Sequence, residues 1–215
     1  MTLTQDDIQF IDNYLSSKIE HIDIRMEMVD HVAESIEAKM NKGDDRDFYY
    51  IFKDYMVENK RKLLENNKQF LKTATQKLSN AILKLFVSPL HLFLTILISY
   101  LCYYFFQNID YSYSKNIAFI ITLILIITPA IVYGSVLKFY KYERFSSAER
   151  INFFLIFLVQ LLNFINISNS NLLDEKPHTI LMSVMIGLIF NFVLSLSRVS
   201  ITVFRDCKTK YQAIL

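Results

Sequence analysis

The chain has 215 residues, 53% of them hydrophobic and 20% charged, with a formal net charge of +2. The charges crowd into the first 84 residues and two later short segments, which excludes an ordinary soluble globule and points to a membrane protein with a soluble head. Two cysteines, Cys102 and Cys207, without CxxC spacing exclude a disulfide framework and a cysteine zinc site, and three glycines leave no loop to cradle phosphate.

The opening residues lack both a basic region and an apolar stretch, so no cleaved signal peptide is expected and the first span acts as its own insertion signal. Residues 1–58 carry 14 acidic and 6 basic side chains. They read as an acidic head of three short helices. Thr4 to Asp7 forms a capping-box-like start, followed by Ile8, Ile11 and Leu15 at helical spacing, with an end near Ser16 or Ser17. Asp23 is suited to cap a second helix with Val29, Val32, Ala33, Ile36 and Met40 as its apolar stripe and Gly43 as its terminating residue. Asp44 or Asp45 starts a third, with Phe48, Ile51, Phe52 and Tyr55 along one face. About sixty residues is marginal for an independent core. The head is therefore expected to gain stability from the neck helix, the membrane face or a second copy of the chain.

Glu27, Asp30, His31 and Glu34 share one face of the second helix. Such a face could hold a divalent ion, but a di-metal carboxylate site needs a second helix with its own Glu-x-x-His, and none occurs. The plainer reading is a solvated face. The order of a short helix, a helix carrying Glu27-Met28-Val29-Asp30-His31 and an aromatic third helix resembles HAAS-type signalling domains, and still more the heads of small multi-span membrane proteins of the Bacteroidetes. HAAS-type heads precede several membrane spans and are associated with PadR-type transcription regulators. The resemblance covers roughly the first sixty residues. It implies a protein-interaction head without catalysis, a PadR-type regulator as one candidate partner, and Glu27, Asp30 and His31 as the matching positions.

Residues 59–84 hold seven basic side chains, Lys60, Arg61, Lys62, Lys68, Lys72, Lys77 and Lys84, against one acidic. Apolar Leu63, Leu64, Phe70, Leu71, Ala74, Leu78 and Ile82 recur at helical spacing, which predicts an amphipathic neck helix, with Asn66-Asn67 as a candidate interruption. A basic patch beside a hydrophobic span favours anionic lipid head groups over nucleic acid. The neck is expected to pass without a break into the first span.

Four apolar runs, 85–106, 117–137, 151–167 and 179–204, predict a four-helix transmembrane bundle over 85–204 with a tail at 205–215. The third is short and interrupted by Gln160 and Asn163. It is read as a span because an odd number would separate the basic 138–150 loop (Lys138, Lys141, Arg144, Arg150) from the basic tail (Arg205, Lys208, Lys210). The other two loops carry only Lys115 and Lys176, so the positive-inside rule places both termini in the cytoplasm of a bacterial inner membrane. Tyr100, Tyr103, Tyr104, Tyr133, Tyr140 and Tyr142 suit interfacial belts.

Five polar residues lie within these runs: His91, Gln160, Asn163, Asn191 and Arg198. Gln160 and Asn191 are placed to hydrogen-bond between spans three and four. Arg198 most simply snorkels to the head groups, and His91 most simply bonds Ser88 or a backbone carbonyl. Brought together, those two could sense pH or bind an anion. Pro129 and Gly134 are candidates to bend span two.

No metalloprotease, serine-hydrolase, P-loop or dinucleotide motif occurs. The expected protein is all-α, a non-enzymatic membrane protein without cofactor, whose head regulates or binds a cytoplasmic partner. A homo-oligomer is left open. The alternative is a small oligomeric transporter or channel subunit using Gln160, Asn163 and Asn191.

Overall fold

A computed structural model describes residues 2–140, 145–168 and 174–212, the side chains of 140, 161–168 and 210–212 excepted. The expected roles of Tyr140, Lys141, Tyr142, Arg144, Asn163 and Lys210 therefore fall on side chains outside the described residues. Among the described residues the secondary structure is all helical: α1 (Gln5–Ser16), α2 (Ile22–Asn41), α3 (Phe48–Phe86), α4 (Pro89–Gln107), α5 (Tyr111–Tyr140), α6 (Ser146–Ser168) and α7 (Glu175–Gln212). The chain divides into two compact units, residues 1–75 with 144–147, and residues 76–143 with 148–215.

In the first unit, local chemistry sets the helix ends. The Thr4 hydroxyl accepts from the Asp7 amide at 3.2 Å while the Asp7 carboxylate accepts from the Thr4 amide at 3.0 Å, the reciprocal bonds of a capping box. α2 stops at Gly43, whose φ of +96° suits a residue without Cβ. The Gly43 amide donates to the Met40 carbonyl at 3.1 Å and the Asp44 amide to the Lys39 carbonyl at 3.4 Å, the paired bonds of a Schellman motif. Ile11, Leu15, Val29, Val32, Ile36, Ile51, Phe52 and Met56 form the core, with Leu63 buried and Phe70 and Leu71 partly buried against it. Residues of the expected neck thus complete the head's core, one of the sources of stability the sequence suggested. Phe10 and Tyr14 of α1 meet Phe52 edge-on with ring centroids 5.3 Å apart, a favoured aromatic geometry.

Three local expectations are corrected. The side chain of His21, which precedes α2, makes no capping bond, and Asp23 does not cap that helix. Its carboxylate instead accepts from the Ser146 amide at 3.0 Å and the Ser146 hydroxyl at 2.5 Å, at the start of α6. The third helix begins at Phe48 rather than at Asp44 or Asp45: the Asp47 carbonyl accepts from the Tyr50 and Ile51 amides, and Asp44 is held by Arg46 in a two-pronged ion pair at 2.8 Å. Arg46 also reaches Asp54 at 2.8 Å, bracing the link against α3. The Arg46 guanidinium keeps the Asp44 carboxyl below the usual carboxylate range, and the two carboxylates raise Arg46. Finally, Asn66-Asn67 does not interrupt the neck: α3 is one helix from Phe48 to Phe86.

In the second unit, α4, α5 and α7 each contain a stretch long and apolar enough to cross a membrane: Pro89–Gln107, Tyr111–Phe139 and Glu175–Thr209. α6 lies on the third expected span. α4 packs chiefly on α7, and α5 also packs on α7. The α4–α7 contact is close because α7 presents Gly187: a Cβ there would lie 2.1 Å from Ser99 Oγ and 2.8 Å from the Thr95 carbonyl oxygen. α5 continues as a helix through Pro129.

Candidate functional site

The expected smooth passage from neck to first span does not occur. Proline at 89 has no amide hydrogen to donate, and its ring disfavours helical backbone at the preceding residue, so a helix ends before it. Ser88 accordingly adopts an extended conformation (φ −66°, ψ 147°), and its hydroxyl accepts from the His91 amide at 3.4 Å, with Pro89 as the first residue of α4. The break lies at residues 87–88, some twenty residues beyond Asn66-Asn67.

Ending α3 at Phe86 leaves carbonyls without intrahelical partners. One of them is met across the fold: Asn191 Nδ2, on α7, donates to the Phe86 carbonyl at 3.1 Å and to Thr95 Oγ1 at 2.9 Å. The Thr95 hydroxyl itself donates to the His91 carbonyl at 2.8 Å. Asn191 Oδ1 faces His91 Nδ1 at 2.9 Å, and Ser195 Oγ lies 3.0 Å from the same nitrogen and donates to Asn191 Oδ1 at 3.3 Å. Asn191, a single side chain of α7, therefore ties the end of α3 to the first turns of α4.

The network assigns the hydrogens. A carbonyl oxygen only accepts, so the Asn191 amide nitrogen must face Phe86 and its oxygen must face His91. Nδ1 of neutral His91 then carries the proton, shared between Asn191 Oδ1 and Ser195 Oγ, and Nε2 keeps a bare lone pair. His91 is 1% exposed, and its Nε2 has no hydrogen-bond partner among the described residues. A buried polar atom left unpaired costs about 1–3 kcal/mol, so this is the one unspent bonding capacity of the imidazole.

The chain matches no protein-family model, no curated protein and no solved structure. What the site can do is therefore argued from its own chemistry. The joint directs the Nδ1 hydrogen of His91 at the Ser195 hydroxyl, so the ring is not a base toward it. The joint holds helices in register and offers one acceptor.

Of the five intramembrane polar residues read from sequence, the structure brings His91 and Asn191 together. Arg198 is exposed and is not the partner of His91, which corrects that pairing. The bonds of Asn191 run to α4, Ser195 and Phe86 rather than to α6, so it is not bonded to Gln160 as expected. Thr95, Ser195 and Gly187 were missed. Their signal was the four-residue spacing of Ser183, Gly187, Asn191 and Ser195, matched by His91, Thr95 and Ser99 on α4, the pattern of two closely packed helices.

In the head, Glu27, Asp30, His31 and Glu34 are all exposed on α2. No group of three or more potential metal ligands occurs among the described residues. The seven basic residues Lys60, Arg61, Lys62, Lys68, Lys72, Lys77 and Lys84 are all exposed along α3.

Proposed function

We propose that the protein is a regulatory component of a bacterial inner membrane, in which a cytoplasmic head binds a protein partner and a four-span domain, with α6 as its third span, anchors it and biases the head. No catalysis is assigned to it. The observation that carries this reading is the uninterrupted α3, whose first half completes the head's core and whose last residue is bonded by Asn191. A continuous helix ending in a bonded joint is suited to carry a change among the spans to the head, whereas a broken linker would decouple them. The exposed basic face of α3 supports contact with anionic lipid. The exposed acidic face of α2 supports protein contact, and its likeness to HAAS-type heads makes a PadR-type regulator one candidate partner. The commitment of Asn191 to α3 and α4 favours a packing role over a transport pore built on Gln160, Asn163 and Asn191.

The test is affinity capture of the intact protein from its own membranes, beside a variant with Glu27, Asp30, His31 and Glu34 all changed to alanine. These side chains are exposed, so the variant is expected to fold. A cytoplasmic protein retained by the first and lost by the second is the expected result. Equal recovery by both, or none by either, would overturn the assignment of that face.

A further inference from the structure

We infer that Nε2 of His91 is a proton-binding site, and that the closed joint between α3, α4 and α7 is the form that goes with the neutral imidazole. The geometry has three parts. The Nδ1 hydrogen is committed to Asn191 and Ser195, so a second proton can be taken only at Nε2. That atom is buried and unpartnered among the described residues. No carboxylate occurs within α4, α5, residues 66–86 of α3 or residues 177–204 of α7, and α6, which meets α7 through Phe157 and Phe192, carries a single carboxylate, Glu149, in its first turn beside Arg150.

The groups around His91 bear this out element by element. The end of α3 offers the Phe86 carbonyl, already bonded to Asn191, and Lys84, which is exposed. α4 offers Ser88 and Thr95, and its tyrosines and Cys102 lie more than two turns further on. α7 offers Asn191 and Ser195, with exposed Arg198 nearly one turn beyond Ser195. α5 carries Lys115 and Lys138 near its two ends and Tyr133 toward its second. His91 is also the third residue of α4, where the positive end of the helix dipole lies. A proton taken from water would thus create a buried, unpaired charge among neutral dipoles, which is costly unless water reaches it. The linkage has one sign. The neutral form goes with the closed joint and the protonated form with an opened, hydrated one, so acidification opens the joint and alkali closes it.

The regulatory use of this site rests on the reading of the joint as the link between head and spans, but proton binding is tested on the joint alone. Spin labels are placed at exposed positions by Leu83→Cys on α3 and Ile201→Cys on α7, with Cys102→Ser and Cys207→Ala, in full-length protein in lipid nanodiscs. The distance distribution is measured from about pH 8 to about pH 5, the range in which histidine ordinarily changes charge. A second distance component is expected on acidification, its population rising by at most about tenfold per pH unit for one proton. It is expected to persist in His178→Gln and to vanish in His91→Gln. No pH response in the labelled parent protein, or the same response in His91→Gln, would overturn the inference. Nitrogen NMR of the parent protein with labelled histidine gives a readout that needs no substitution at 91. At the alkaline end the His91 signals should be those of a neutral ring protonated at Nδ1, with those of a doubly protonated ring appearing on acidification. An Nε2–H tautomer at the upper pH, or no titration across the range, would contradict it. Failure here with retained partner capture by the head would leave the regulatory reading standing, and the converse would leave the proton site standing.

Discussion

Asn191 shows how much one side chain can hold when its partners come from separate helices. Asn191→Leu keeps the branched shape of the side chain but leaves the Phe86 carbonyl unmet and the His91 Nδ1 hydrogen with Ser195 alone. Buried groups left so cost about 1–3 kcal/mol in soluble proteins, and hydrogen bonds between membrane helices lie toward the lower end. The expected outcome is a loss of roughly 1–3 kcal/mol in a reversible unfolding titration in mild detergent. Asn191→Asp should be at least as damaging, because a carboxylate cannot donate to Phe86. A second residue-scale expectation concerns the head. Asp44 is held below its ordinary value of 3.8 by Arg46, so its contribution is present above that value and fades as pH falls below it. An NMR titration of the Asp44 side chain should show a low midpoint that returns to the ordinary range in Arg46→Ala. At this scale the sequence was readable where chemistry is local. Thr4 with Asp7 and Gly43 after Asn41 announce helix ends through neighbours a few residues away. His91 and Asn191 stand one hundred positions apart, and no local rule says which helix will lie against which.

Helix α3 departs furthest from what the sequence suggests. The asparagine pair at 66–67, a candidate interruption by sequence, stays helical, since helix propensity is weak beside the packing of Leu63, Phe70 and Leu71 onto the head. The true break was legible in Ser88-Pro89, a capping residue before a proline, and was hidden only by the unbroken apolar composition around it. Asp23 shows the opposite case, a capping residue read correctly by type and assigned to the wrong helix. Its carboxylate serves α6, where Ser146 supplies both an amide and a hydroxyl. Asp23→Ala should cost about 0.5–2 kcal/mol, the usual worth of an N-terminal cap. Amide exchange should quicken at the start of α6 rather than at the start of α2, and the reverse pattern would return Asp23 to its expected role. For the α4–α7 pair, Gly187→Ala forces a methyl against the Thr95 carbonyl oxygen. Overpacking of this kind costs typically about 1–3 kcal/mol, read as a lowered thermal midpoint, with Ser99→Gly giving no rescue of the backbone clash.

For the whole molecule, the division into an acidic, charged portion and an apolar portion was legible from composition alone. Periodicity found the helical stretches, but among the described residues the third helix of the head and the neck are one helix, and the break falls before the first span instead. The polar joint was not legible as a unit, since two of its members, Thr95 and Ser195, read in isolation as ordinary small residues of a span. The claim on which the functional account stands is the arrangement of the chain across the bilayer: head, 138–150 segment and tail on the cytoplasmic side, with four crossings. It is tested most directly by reporter fusions at positions 58, 110, 143, 172 and 215, each scored for cytoplasmic or external activity. The account predicts cytoplasmic signals at 58, 143 and 215 and external signals at 110 and 172. A cytoplasmic signal at 172 with an external one at 215 would remove α6 from the spans, and an external signal at 58 would contradict the cytoplasmic head itself.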